Sequence, residues 1–136
     1  MKLTQNFKLQ ELVSKKVYEE YEDKSVRFLD PALINLIQTL RDRYGLVTIN
    51  NWETGGERQY SGLRYLHEPH WSITSQHSFG RAADLVFKNI TPDEFQQDLL
   101  DNLDSYPTIG GFGRYQEFTH IDVRFKLNNQ ITKWRK

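Results

Sequence analysis

Two short segments of the sequence contain side chains whose types and spacing are suited to binding a metal ion. The segment SQHSFGRAADL (residues 75–85) holds His77 and Asp84, and FTHIDV (residues 118–123) holds His120. The chain has no cysteine, so any zinc site must use histidine and carboxylate ligands. A catalytic zinc ion has about three protein ligands and leaves a further position to water. We therefore predict one Zn2+ per chain, bound by His77, Asp84 and His120.

Small residues between the first two of these ligands are suited to bringing them together. Gly80 can adopt a left-handed backbone conformation, which lets the chain fold back between His77 and Asp84. Ala82 and Ala83 leave room for backbone to pass close to an ion. A carboxylate inside the apolar run AADLVF also needs a charged partner, because an uncompensated buried carboxylate is strongly unfavourable. The pattern predicts that His77 and Asp84 converge.

Acidic residues lie on both sides of His120 in the sequence. Glu117 precedes it by three positions, and a glutamate beside a zinc site commonly acts as general base and later returns the proton to the leaving amine. Positions three apart on a regular strand face opposite sides, so Glu117 must lie in a turn or bulge. Asp122 shares the face of His120. It either orients a ligand histidine or pairs with Arg124 or Arg81.

The remaining histidines and the tryptophans have less specific surroundings. The HEPH segment (residues 67–70) contains two histidines, but Pro69 prevents a helix that would place them on one face. We interpret both as loop residues that line a cleft, not as ligands. Trp52 and Trp71 either form walls of that cleft or join the core. The segment KWRK (residues 133–136) is interpreted as a solvated tail.

Hydrophobic periodicity and capping signals predict the elements that position these residues. Asp30-Pro31 and Thr91-Pro92-Asp93-Glu94 are strong helix starts, since each combines a capping side chain with proline at the first helical position. The predicted helices are Phe7–Tyr21, Pro31–Tyr44 and one from Pro92 that ends before Pro107. The predicted strands are Leu46–Asn51, Ala82–Phe87 and Phe118–Phe125, with a last short strand around Gln130–Trp134. Residues 108–114 are predicted as a glycine-rich strand or turn, and a turn there would lead into Glu117.

This order of elements predicts an α+β fold with a small, mostly antiparallel sheet and flanking helices. The 136 residues fit one compact domain spanning residues 1–136. Trp52–Thr74 has no periodicity and is predicted to be a loop. A loop of that length in a compact domain is usually functional.

Composition excludes several classes of protein. Lysine and arginine together number 18 and are balanced by 18 acidic residues, which argues against a general nucleic-acid binder and gives no reason to expect binding to an acidic membrane. No run approaches the roughly 20 apolar residues of a membrane span, and the first residues lack the apolar core of a signal peptide. We expect a protein that is cytoplasmic when synthesised.

The two candidate motifs together resemble those of a known enzyme family. The pattern Ser75-x-His77-x-x-Gly80-x-Ala82-x-Asp84, followed by Glu117-x-x-His120, resembles the zinc D-alanyl-D-alanine carboxypeptidase family. That family includes D-Ala-D-Ala dipeptidases and phage L-alanyl-D-glutamate endopeptidases, and it shares the Hedgehog-like fold. The motif-bearing part covers about residues 46–125, and the chain is similar to a small phage-type member.

The resemblance implies a role for each matching residue. His77, Asp84 and His120 look like the zinc ligands, and Glu117 looks like the catalytic base. The family also has an arginine within a Ser-Gly-x-Arg stretch, which stabilises the substrate carbonyl or carboxylate.

The segment SGLR (residues 61–64) is similar to that stretch, which makes Arg64 the candidate. Arg58 is the alternative. Ser75 and Asp122 are further candidates for supporting the ligands or binding substrate.

The function implied by the resemblance is zinc-dependent hydrolysis of peptide bonds in peptidoglycan stem peptides. The bond is either D-Ala-D-Ala or L-Ala-D-Glu. We expect a monomer and a phage or prophage lysis enzyme that reaches the periplasm or cell wall through a holin. The alternative is a non-catalytic, zinc-binding phage structural or interaction module with the same fold.

Overall fold

The computed structural model describes residues 1–136 and has the predicted α+β architecture, with three α-helices and a five-stranded open sheet. The strands are β1 Val47–Thr48, β2 Ala82–Phe87, β3 Gly111–Arg114, β4 Thr119–Asp122 and β5 Thr132–Arg135. They follow the order β1-β2-β4-β3-β5 across the sheet. All neighbouring pairs are antiparallel except β3 and β5, which run parallel.

The helices are α1 Lys15–Tyr21, α2 Pro31–Tyr44 and α3 Pro92–Asp101. The prediction for α2 is confirmed at both ends, and the Asp30 carboxylate accepts the backbone N–H of Ala32 at 2.9 Å. The capping box at the start of α3 is also confirmed. This helix ends at Asp101, before Pro107 as predicted, and a 3-10 turn at Leu103–Ser105 follows it.

The predicted helix Phe7–Tyr21 is wrong in its first half. Leu9–Glu11 form only a 3-10 turn, and α1 begins after Ser14, whose hydroxyl accepts the N–H of Val17. The chain between them is held by another segment, since Leu63 exchanges backbone hydrogen bonds of 2.8 and 2.9 Å with Leu12 and Ser14. The apolar spacing in this first half therefore predicted burial correctly, but it did not predict the secondary structure.

The predicted strands are present, but some of their boundaries differ; β4, for example, covers Thr119–Asp122 of the predicted Phe118–Phe125. Only Val47–Thr48 of Leu46–Asn51 pairs in the sheet, because Asn50 instead donates its backbone N–H to the carbonyl of Glu11. The glycine-rich segment forms strand β3, not a turn. The predicted last strand around Gln130–Trp134 is confirmed as β5, Thr132–Arg135, which pairs with β3. Most of the segment KWRK therefore belongs to a strand and is not a free tail, although its side chains are largely exposed.

One face of the sheet carries the hydrophobic core. Leu85 of β2, Phe112 of β3 and Ile121 of β4 belong to a single buried cluster with the apolar faces of α2 and α3. Successive side chains of a strand point to opposite faces, so Asp84, His120 and their neighbours in register lie on the other face. None of the helices has the length and apolar character that a membrane crossing requires.

Candidate metal centre

The strand register places two of the predicted ligands side by side. Asp84 of β2 is the direct cross-strand partner of His120 of β4. His77 lies in a 3-10 turn, Gln76–Phe79, that immediately precedes β2. Gly80 ends this turn at φ 68° and ψ 24°, and a Cβ there would overlap the carbonyl of Phe28. The predicted left-handed Gly80 is thus confirmed, and only glycine fits the position.

His77, Asp84 and His120 form a buried group that could hold one metal ion. Asp84 is central, because its Oδ1 lies 3.2 Å from His77 Nε2 and 3.1 Å from His120 Nδ1. The candidate ligand atoms all lie within 4.8 Å of one another. Two ligands bound at about 2.1 Å to a tetrahedral ion are about 3.4 Å apart. The distances from Asp84 Oδ1 to the two histidine nitrogens are close to the separation that such an ion requires.

The hydrogen bonds on the outer side of each ring show which nitrogen is free to bind a metal. His77 Nδ1 lies 3.0 Å from the carbonyl oxygen of Gly62, which can only accept. His120 Nε2 lies 2.7 Å from the carboxylate of Asp122. In a neutral ring each of these nitrogens carries the proton, so the other nitrogen directs a lone pair at Asp84. Three atoms with free lone pairs then converge, and such a set of ligand atoms fits a cation.

The charges of the group fit the same arrangement. Burial lowers the pKa of His77, which favours its neutral, ligating form. Burial alone would raise the pKa of Asp84, but the charge of His77 and the hydrogen bonds that both histidines donate when protonated hold that pKa below its usual range. Burial also opposes charge on His120, yet its hydrogen bonds to Asp122 and Asp84 raise its pKa.

Asp122 is fully buried and contacts both a candidate ligand and an arginine. Arg124 donates to its carboxylate from Nε at 2.8 Å and from Nη2 at 2.6 Å. Burial alone would raise the pKa of Asp122, but hydrogen bonds from His120 and Arg124 lower it to about 2. Asp122 therefore both holds a ligand histidine and pairs with an arginine, as the sequence allowed. That arginine is Arg124 and not Arg81.

Arg64 is the arginine that reaches the group. Its Nη2 lies 3.7 Å from Asp84 Oδ2, while Nε and Nη1 donate to the carbonyls of Tyr60 and His70. Arg58 lines the same cavity but is bound to the carbonyl of Ile49 and to another loop side chain. The geometry distinguishes the two arginines, since only Arg64 contacts a candidate ligand.

A cavity of about 660 Å3 opens onto the group, within the range of about 300–1,000 Å3 usual for ligand sites. The predicted loop contributes Arg58, Arg64 and His70, and Ser75 also lines the cavity. Ser75 caps the 3-10 turn by accepting the N–H of His77, so it fixes the backbone of a candidate ligand. The sheet side of the cavity is aromatic, with Tyr115, Phe118 and Trp134.

Glu117 is not brought to this group. It lies in the tight turn between β3 and β4, as predicted, but its side chain is exposed and does not line the cavity. Its neighbours Tyr115 and Phe118 do line the cavity. The turn is thus at the cavity rim, and the role of Glu117 as base stays a prediction.

The two tryptophans proposed as cleft walls lie elsewhere. Trp52 donates its indole N–H to the carbonyl of Val13, and Trp71 lines a separate shallow groove. Sequence reasoning missed Trp134, which lines the cavity, and Gly62, whose carbonyl fixes His77. The segment SGLR, which contains Arg64, drew attention to Gly62, but no feature of the sequence near Trp134 indicated that it lines the cavity.

An Asp122→Asn variant is expected to bind the metal about 10- to 100-fold more weakly, as is typical when a group that orients a ligand histidine is altered. The physical reason is the loss of the negative charge that holds the His120 Nε2 proton. Competition with a chromogenic chelator measures the affinity. Arg124→Gln is the matched control, because it leaves the carboxylate in place. An Asp122→Asn affinity equal to that of wild type would show that this carboxylate does not support the site.

The residues that contact one another are the buried His77–Asp84–His120 group, the supporting Asp122, and Arg64 at the cavity wall. Comparison of the chain with protein-family models, with curated proteins and with solved structures finds no match.

Proposed function

We propose that the protein is a zinc-dependent peptidase that hydrolyses peptide bonds in peptidoglycan stem peptides. The observation that carries the proposal is the buried His77–Asp84–His120 group, whose acceptor atoms converge at the wall of a ligand-sized cavity beside Arg64. The motif resemblance supports the choice of substrate. Two histidines and one carboxylate are also a donor set used by catalytic zinc sites.

The residues of the chain have separable tasks in this proposal. His77, Asp84 and His120 would hold the ion. When bound, zinc supplies a Lewis acid and lowers the pKa of water to about 7. Arg64 lines the cavity, and its Nη2 lies 3.7 Å from Asp84 Oδ2, where it is suited to bind a substrate carboxylate or to stabilise charge that develops on the scissile carbonyl.

Glu117 is the base in the proposal, although its carboxylate is exposed at the turn. Catalytic groups in ligand-free structures are often poorly aligned and reach their positions only with substrate bound. The turn residues on both sides of Glu117, Tyr115 and Phe118, border the cavity. Substrate bound against these rings would lie next to the turn that carries the carboxylate.

The experiment is cleavage of purified peptidoglycan and synthetic stem peptides by the zinc-loaded protein, with products identified by mass spectrometry. We expect wild type to cut one bond type. Glu117→Gln should keep its zinc and lose about 100- to 10,000-fold in rate, the usual contribution of a general base. Gln116→Ala, in the same exposed turn, is the matched control and should cleave normally. Equal cleavage by Glu117→Gln would exclude Glu117 as the base.

A second candidate function is a non-catalytic zinc-binding module. The observation that favours it is the position of Glu117 outside the cavity, because a structural metal site needs no base. This candidate predicts one tightly bound zinc per chain, no cleavage of any stem peptide, and a higher melting temperature with zinc than without. Cleavage by wild type that Asp84→Asn abolishes would exclude it.

A further inference from the structure

Four residues on the cavity face of the sheet lie in one row across its strands. Asp84 of β2 pairs with His120 of β4, His120 pairs with Gly113 of β3, and Gly113 pairs with Trp134 of β5. The row therefore leads from the centre of the candidate metal group to the edge strand at the far end of the sequence. Gly113 is the only member without a side chain.

The missing side chain of Gly113 lets the indole of Trp134 lie across β3. A Cβ at Gly113 would be 2.5 Å from Cε2 of the indole, well inside van der Waals contact. The indole reaches His120, with ring centroids 5.0 Å apart and planes at 50°. Its N–H donates to the hydroxyl of Tyr115 at 3.0 Å, and the Arg124 guanidinium lies 5.3 Å from its centroid.

The other glycines of the same segment make room for further residues that support the site. A Cβ at Gly111 would overlap the carboxylate of Asp122, and one at Gly110 would overlap the carbonyl of Arg124. The glycine run therefore forms a trough that admits the carboxylate and the indole. Both of these groups contact His120.

We propose that Trp134 is a positioning residue for the metal centre, which packs against the ring of His120 while Asp122 holds the Nε2 of that ring. A histidine ring whose Nε2 is hydrogen-bonded can still turn about its Cβ–Cγ bond, and this rotation displaces Nδ1 more than Nε2. Packing of the indole against the ring removes this freedom. Groups around a ligand histidine commonly change metal affinity by about 10- to 100-fold.

This inference rests on metal binding by the His77–Asp84–His120 group, which is part of the proposed function, and not on peptidase activity. The test uses apo-protein titrated with Zn2+ against a chelator, and with Co2+ followed by visible absorption, which reports ligand geometry. The variants are Trp134→Ala, Trp134→Leu and Trp134→Phe. Lys133→Ala is the matched control, because this neighbouring β5 side chain is exposed and next to Trp134 in sequence.

We expect Trp134→Ala and Trp134→Leu to bind Zn2+ about 10-fold more weakly and to change the Co2+ spectrum. Trp134→Phe retains a flat ring above Gly113 and should recover most of the affinity, and Lys133→Ala should match wild type. The leucine variant fills the space that alanine leaves empty, so it remains informative if Trp134→Ala unfolds. Wild-type affinity and spectrum in Trp134→Leu would overturn the positioning role alone. Absence of metal binding by wild type would overturn this role together with the proposed function.

Discussion

Asp84→Ala is expected to purify without bound zinc, whereas the wild-type protein carries about one ion per chain. Asp84 Oδ1 is the atom that both histidine nitrogens face, at 3.2 and 3.1 Å. Its removal takes away the only anionic member of the group and leaves two ligands, fewer than zinc sites in proteins use. Elemental analysis of protein purified without added metal measures the content, and it also detects other divalent ions that such a donor set accepts.

The matched comparison for this prediction uses a second ligand and a distant carboxylate. His77→Ala removes another member of the group and should lose the ion as well. Asp93→Ala removes an exposed carboxylate whose partners are Arg114 and Arg135, and it should retain the ion. Circular dichroism of each variant shows that the fold is intact. Full metal content in a folded Asp84→Ala protein would mean that the ion binds elsewhere.

The metal group was predictable because its signals are local or are set by strand pairing. The spacing of His77 and Asp84 needs only a tight turn between them, and a glycine at position 80 marks such a turn. The apolar run around Asp84 predicts a buried strand. The predicted ligand set required Asp84 and His120 to lie close together, and the register of β2 and β4 places them opposite each other. The position of α2 followed from its capping residues.

The residues that hold the candidate ligands in place were not predictable, because their positions depend on contacts between distant segments. A short strand around Gln130–Trp134 was predicted, but β5 is polar and mostly exposed, so the sequence did not indicate that it pairs with β3. The place of Trp134 depends on the absence of a side chain at Gly113 on another strand. For Glu117 the sequence predicted the turn, but a turn does not determine where an exposed side chain points.

Arg64→Ala is expected to keep its zinc and to lose about 100- to 1,000-fold in kcat/KM for stem-peptide cleavage, the usual effect of removing one group that stabilises developing negative charge. The guanidinium is held in place by the carbonyls of Tyr60 and His70 and lies against Asp84. It is therefore oriented before substrate binds, and no reorganisation is needed during the reaction. Arg64→Lys keeps the charge without the planar fork and should recover only part of the activity.

Arg58 provides the control for this effect, because it lines the same cavity and carries the same charge. Its Nε and Nη2 are bound to the Ile49 carbonyl and the Ser61 hydroxyl, so Arg58→Lys should affect the loop more than the reaction. Steady-state rates, metal content and melting temperature are compared across the variants. A larger loss in Arg58→Lys than in Arg64→Lys, at equal stability and zinc content, would transfer the substrate-binding role to Arg58. The opposite order would show that contact with the metal group, and not positive charge in the cavity alone, determines which arginine acts on the substrate.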